Sequence, residues 1–195
     1  MELVFATHNS NKLKEVQLLL PRQISLLSLK DIGCHEEIPE TGATLEENAR
    51  IKANYVTDNY GLPCFADDTG LLVDALNGAP GVHSARYAGE QKNSEDNMDK
   101  LLSELKNIKD RSAKFTTIIT LNLKTERKIF EGTVKGTIIH QKKGNKGFGY
   151  DPIFKPADYN TTFAELPLAI KNKISHRGKA IQQLVQYLKS LENAS

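Results

Sequence analysis

Hydrophobic positions along the chain fall into short runs and helical stripes that take turns with one another. Residues 3–6 are an apolar run closed by the polar stretch Thr7-His8-Asn9-Ser10-Asn11-Lys12. Leu13, Val16, Leu19 and Leu20 then recur at helical spacing until Pro21. The pattern predicts strand, polar turn and helix, the opening of a βα unit. A second helix is announced by the capping box Thr44-Leu45-Glu46-Glu47, with Leu45, Ala49, Ala53, Val56 and Tyr60 on one face and Gly61-Leu62-Pro63 as its stop. Asn48 and Lys52, four residues apart, share the rim of that stripe. Residues 63–66 and 71–76 read as strands flanking Asp67-Asp68-Thr69-Gly70, which puts the two acids at a strand end. Ser94 is the expected cap of a helix carrying Met98, Leu101, Leu102, Leu105 and Ile108. Residues 113–123 and 128–140, rich in Thr, Ile, Val and Phe, predict paired antiparallel strands. A final helix carries Ala180, Ile181, Leu184, Val185, Leu188 and Leu191, and residues 189–195 read as a frayed polar tail. Helices interleaved with strands and one hairpin make a mixed-sheet α/β domain.

Composition narrows the class. The chain of 195 residues is 39% hydrophobic and 26% charged, enough for one compact domain, 1–195, without a disulfide or metal staple. A net charge of +2 describes a balanced surface, so nucleic acid is not an expected partner. The two cysteines, Cys34 and Cys64, have neither disulfide-framework nor zinc spacing. No apolar run is long enough to cross a membrane, and the first residues lack the pattern of a signal peptide. A cytoplasmic location and no membrane partner are the expectations.

Five segments can carry chemistry. Asp67 and Asp68 together offer hard oxygens to Mg²⁺. Glu40, ahead of Thr41-Gly42, gains value only if folding brings it beside Asp68 as a second carboxylate on the same ion. The turn at residues 7–12 lies at a helix N-terminus, where N–H groups, the dipole and Lys12 favour phosphate; ordinary N-capping by the same polar residues is the alternative. No GxxxxGK[ST] loop is present. The glycine-dense loop Gly147-Phe148-Gly149-Tyr150-Asp151 offers backbone access and two aromatic rings to stack on a flat base. Ser175-His176-Arg177 opens the last helix, four residues after Lys171. That is a poor electrostatic place for cations unless an anionic or carbonyl-bearing ligand is nearby.

These segments coincide, in order, with a known pattern. Residues 7–12, Glu40-Thr41-Gly42 running into the capped helix with Lys52-Ala53, Ala66-Asp67-Asp68-Thr69-Gly70-Leu71, Ser84-Ala85-Arg86-Tyr87, Gly147 to Phe154, and Lys171 with Ser175-His176-Arg177-Gly178 together resemble the inosine triphosphate pyrophosphatase family. The resemblance runs from residue 3 to about residue 188. It implies a two-lobed single domain on a long mixed, twisted sheet, a homodimer, and an active site in the cleft between lobes. It further implies Mg²⁺-dependent hydrolysis of dITP, ITP and XTP to monophosphate and pyrophosphate, a house-cleaning step in nucleotide metabolism. By motif, Thr7, His8, Asn9, Ser10, Asn11 and Lys12 would hold the triphosphate. Asp68 would be proton acceptor and metal ligand, Glu40 the second metal ligand, and Lys52 a phosphate contact. Thr69 would sit against the substrate, with Phe148, Gly149, Tyr150, Asp151, Lys171, His176 and Arg177 forming the base pocket. His8 stands where many relatives have Gly, and Thr69 where Ser is more usual. Two rival readings are a Maf-type pyrophosphatase for pyrimidine or modified nucleotides and a nucleotide- or RNA-binding module without turnover.

Overall fold

The computed structural model describes residues 1–124 and 126–192. Its strands are β1 (Glu2–Phe5), β2 (Ser25–Ser28), β3 (Cys64–Val73), β4 (Pro80–Gly81), β5 (Ser112–Asn122), β6 (Arg127–Ile138) and β7 (Phe154–Pro156). Its helices are α1 (Ser10–Gln17), α2 (Leu45–Tyr60), α3 (Ser94–Glu104), α4 (Leu168–Ile174) and α5 (His176–Glu192). The strand order is β2-β1-β3-β5-β6-β7, with β4 on β3. β1 pairs parallel with β2 and β3, while β3–β4 and β6–β7 are antiparallel, so the sheet is mixed. β5 and β6 are neighbours joined by residues 123–126, a connection too short for anything but an antiparallel hairpin.

The chain forms two compact units. The first comprises Met1–Asp68, Thr117–Gly132 and the chain from His176 onward; the second comprises Thr69–Thr116 and Thr133–Ser175. In the first unit, strand alternation sorts side chains into two layers. Leu3, Phe5 and Phe65 pack with Val16 of α1 and with Ala180, Ile181 and Leu184 of α5. Val4, Ala6, Cys64 and Ala66 pack with Ala53 and Val56 of α2. Phe5 and Phe65 stack at 4.5 Å between ring centroids. Burial on both faces explains why residues 3–6 read as an unbroken apolar run. In the second unit, Leu71 and Val73 pack with Met98, Leu101 and Leu105 of α3 and with Phe115, Phe154 and Phe163.

The capping box is present as expected, with Thr44 accepting from the Glu47 N–H and Glu47 reaching back, and α2 ends at Gly61 with φ 65°. Three boundaries differ. Residues 63–66 and 71–76 are not two strands: β3 runs unbroken through the acid pair, and Asp74–Leu76 is a 3-10 turn. The acids are tolerated inside a strand because each meets a cation, as shown below. Asn93, not Ser94, caps α3, since its side chain accepts from the N–H groups of Glu95 and Asp96. Residues 189–192 continue α5, where Leu191 packs on the first layer; the remainder of the expected tail lies outside the described residues. No helix among the described residues is long and apolar enough to cross a membrane.

Candidate active site

The first unit builds its polar centre from α1, α2, β3 and α5. Alternation along β3 sends neighbouring acids to opposite layers. Asp67 follows Phe65 toward α1 and α5, and Asp68 follows Cys64 and Ala66 toward α2. Asp67 is 1% exposed. Its Oδ1 accepts from Lys12 Nζ at 2.8 Å and its Oδ2 from Arg177 Nε at 3.2 Å. Arg177 also donates from Nη1 to Glu15 Oε2 at 2.6 Å. On the other layer, Asp68 Oδ2 accepts from Asn48 Nδ2 at 3.1 Å, and Asn48 Oδ1 accepts from the Gly42 N–H at 2.8 Å. One amide thus ties the loop carrying Glu40 to the acid. Lys52 Nζ donates to Glu40 Oε1 and lies 3.9 Å from Asp68 Oδ1.

These surroundings drive the two acids apart. Burial alone would raise both. For Asp67 the Lys12, Arg177 and Lys52 cations outweigh it and hold the carboxyl well below the usual range. For Asp68 burial wins over Lys52 and Lys12, Glu40 adds to it, and the carboxyl is pushed up. Burial works against the Lys52 ammonium, yet Asp68, Glu40 and Asp67 overcome it and raise its pKa. Lys12 is the opposite case: burial lowers it despite Asp67. The two adjacent carboxyls are thus displaced in opposite directions, Asp67 down and Asp68 up.

The turn at residues 7–12 takes its N-capping form. Asn9 Oδ1 accepts from the N–H groups of Asn11 at 3.0 Å and Lys12 at 3.2 Å, and Thr7 Oγ1 accepts from the Asn9 N–H at 3.2 Å. His8, Asn9, Ser10 and Asn11 remain exposed, and His8 Nε2 lies 2.9 Å from the Glu36 carbonyl. Asp68 and Glu40 present hard oxygens around a position where the structure already holds a cation, the Lys52 ammonium, and this donor set suits a divalent ion of the Mg²⁺ type. Among the described residues no three His, Cys, Asp or Glu side chains gather as a metal cage. An ion held by these two acids would therefore fill its shell with phosphate oxygens and water, as Mg²⁺ commonly does.

The second unit holds the other candidate residues. Lys171 on α4 and Asp151 are both buried, with Nζ to Oδ2 at 2.6 Å, and Asp151 Oδ2 also accepts from the Phe148 N–H at 2.8 Å. The Lys171 ammonium lies 5.0 Å from the centre of the half-buried Phe148 ring. Gly147, at φ +75°, is needed here, because a Cβ would come within 2.0 Å of Asp151 Oδ2. Tyr150 is not available for stacking. Its ring belongs to the core at 5% exposure, its hydroxyl donates to the Ser84 carbonyl at 2.8 Å, and burial pushes its pKa far up. Thr69 and Gly149 are partly exposed.

Comparison with known proteins agrees with this architecture. The profile of the Ham1 family matches residues 3–187. The chain belongs to the Ham1 family. A relative from Flavobacterium johnsoniae, named dITP/XTP pyrophosphatase, is 63% identical over 188 residues, covering 96% of this chain and 98% of the relative. One of the same name from Bacillus subtilis is 47% identical, covering 97% and 98%. Among solved structures, the HAM1 protein from Coxiella burnetii superimposes with a TM-score of 0.90 at 41% identity, covering 97% of this chain and 99% of that one. The Staphylococcus aureus Ham1 protein gives 0.89 at 40%, with the same coverage.

Within this Ham1 chain the structure therefore brings together Lys12, Glu40, Lys52, Asp68 and Arg177 in one unit, and Phe148, Asp151 and Lys171 in the other. His176, at the start of α5, is buried beside Arg177 in the first unit. Three participants escaped the sequence reading: Asp67 as an actor separate from Asp68, Asn48 as its bridge, and Glu15. Glu15 had a signal. It stands beside Val16 at the edge of the apolar stripe Leu13, Val16, Leu19 and Leu20, where an acid needs a partner. That the partner lies 162 residues away is invisible to local spacing.

Proposed function

We propose that this protein hydrolyses non-canonical purine nucleoside triphosphates (dITP, ITP and XTP) to the monophosphate and pyrophosphate. Support comes from the relatives named dITP/XTP pyrophosphatase. The observation that carries the reading is the acid pair on β3: Asp67 held anionic between Lys12 and Arg177, and Asp68 pushed up beside Lys52.

A triphosphate carries about four negative charges, and phosphoryl transfer is chiefly a matter of position and charge neutralisation. Lys12 and Lys52 supply fixed positive charge, and the exposed polar groups of residues 7–11 contact the phosphate chain. Asp68 and Glu40 are the residues that would hold Mg²⁺. Held there, the ion would supply positive charge to offset that of the phosphates. Asp68 acts as proton acceptor for the attacking water at Oδ1, with Oδ2 fixed by Asn48 so that the carboxylate cannot rotate away. Lys52, between Asp68 and Glu40, keeps the two acids from repelling each other before substrate arrives.

By the family resemblance, base choice falls to Phe148 for stacking, to Thr69 and Gly149, and to Lys171, His176 and Arg177 as donors. Hypoxanthine and xanthine carry a 6-oxo acceptor where adenine carries a 6-amino donor, and a buried donor facing an amino group is costly. Asp151 orients Lys171 for that task. A single domain, a homodimer and a cytoplasmic location belong to the same proposal. The first two rest on the family resemblance, and the third is supported by two buried free thiols.

The test is a panel of ITP, XTP, dITP, GTP, ATP and dTTP with and without Mg²⁺. Metal-dependent turnover of ITP, XTP and dITP far above ATP and GTP is expected. Preference for dTTP would support the Maf-type reading, and binding of RNA without any turnover would support the module reading.

A further inference from the structure

Glu15 is a buried acid on α1 for which the reaction as described has no use. It is 5% exposed, and its carboxylate accepts from Arg177 Nη1 at 2.6 Å. Arg177 is itself 3% exposed and stands in the first turn of α5, where the helix dipole disfavours a cation. Its Nε goes to Asp67 Oδ2 at 3.2 Å, and Asp67 gives its other oxygen to Lys12 Nζ at 2.8 Å. The order is Glu15, Arg177, Asp67, Lys12, with charges alternating minus, plus, minus, plus and summing to zero. The contact to Glu15, at 2.6 Å, is shorter than the one to Asp67, at 3.2 Å, so Glu15 takes up much of the guanidinium. Asp67 can then answer Lys12 with one oxygen while answering Arg177 with the other.

We infer that Glu15 is a positioning residue for triphosphate binding, acting through Arg177 and Asp67 on the placement of Lys12. Without the Glu15 charge, Arg177 and Lys12 compete more strongly for the Asp67 carboxylate. A guanidinium takes a carboxylate through two parallel N–H bonds, and an ammonium offers only a point charge, so Arg177 wins and Lys12 loses its anchor. Because the family resemblance also puts Arg177 at the base, a ligand without a base reads the effect on the phosphate-binding cation by itself. The inference rests on the proposed function in that the ligand is a triphosphate.

Isothermal titration with inorganic tripolyphosphate in Mg²⁺, on the full chain, separates the two claims because the probe has no base. Glu15→Gln is expected to weaken tripolyphosphate binding roughly tenfold and to raise the KM for ITP more than it lowers kcat. Combined with Lys12→Met, the losses must fall short of the product of the single losses, since both variants break one chain of contacts. Should Glu15→Gln fail to fold, Glu15→Asp, which keeps the charge and shortens its reach, carries the same comparison. Tripolyphosphate binding equal to wild type, or losses that multiply, would overturn the inference while leaving the proposed function intact. A wild-type chain that turns over no nucleotide, yet binds tripolyphosphate with these differences, would defeat the proposed function and leave Glu15 in its role.

Discussion

Asp67 and Asp68 share a peptide bond and have different fates because a strand alternates its faces. One meets Lys12 and Arg177; the other meets Asn48 and, at longer range, Lys52. The first is surrounded by enough positive charge to stay ionised through the acid range, and the second is partly uncompensated and accepts protons more readily. With Asp68 in its proposed role as proton acceptor, its substitution should act on turnover more than on binding. Asp68→Asn is expected to lower kcat for ITP by about 10²-fold or more, the usual contribution of a positioned proton acceptor, with KM changed much less. Steady-state kinetics at saturating ITP and Mg²⁺ checks this, and an unchanged kcat removes Asp68 from the role.

At the scale of elements, the site depends on how α2 and α5 are seated. Thr44 and Glu47 satisfy each other's end of α2, and the same helix carries Asn48 and Lys52. Thr44→Ala should cost about 1 kcal/mol, read as a lower denaturant midpoint with unchanged slope. α5 lies so close to β6 that a Cβ on Gly132 would be 2.0 Å from the His176 carbonyl oxygen. Backbone cannot yield as a flexible side chain does, so Gly132→Ala is expected to destabilise the fold by roughly 1–3 kcal/mol and to lower ITP turnover by moving His176 and Arg177. Full stability and full activity in that variant would mean the first turn of α5 is free to shift. The sequence made α2 fully legible because capping boxes and Gly stops act over a few residues. It also placed the last helix, the hairpin and the buried first strand. β2, β7 and α4 were not legible: two are strands of three or four residues held by their neighbours, and α4 has no side-chain cap hydrogen bond at its start. The strand break expected at Asp67-Asp68 followed from the polarity of two acids; partners distant in sequence at Lys12, Arg177 and Lys52 removed the reason for a break.

At the scale of the whole molecule, protonation outside the site also carries a signature. Tyr55, which donates to Glu36, and Tyr60, beside Cys34, are each pushed up to about 12 from an ordinary 10.0. Tyr87, through burial and Glu104, and Tyr150, through burial, go further. The folded state thus keeps phenolic protons that the unfolded chain releases near pH 10. Their contribution is complete below that pH and is lost as pH rises through about 12. Denaturant midpoints should fall steadily between pH 10 and 12, with tyrosinate absorbance lagging that of the unfolded chain; coincident absorbance curves would contradict the described hydroxyl contacts.

The central claim is that this Ham1 protein cleaves a non-canonical purine triphosphate to release pyrophosphate. ³¹P NMR of ITP turnover with Mg²⁺ tests it most directly. Equal amounts of IMP and pyrophosphate, with no diphosphate nucleotide formed, are the predicted result. Orthophosphate with IDP would place the cut at a different bond and contradict the account.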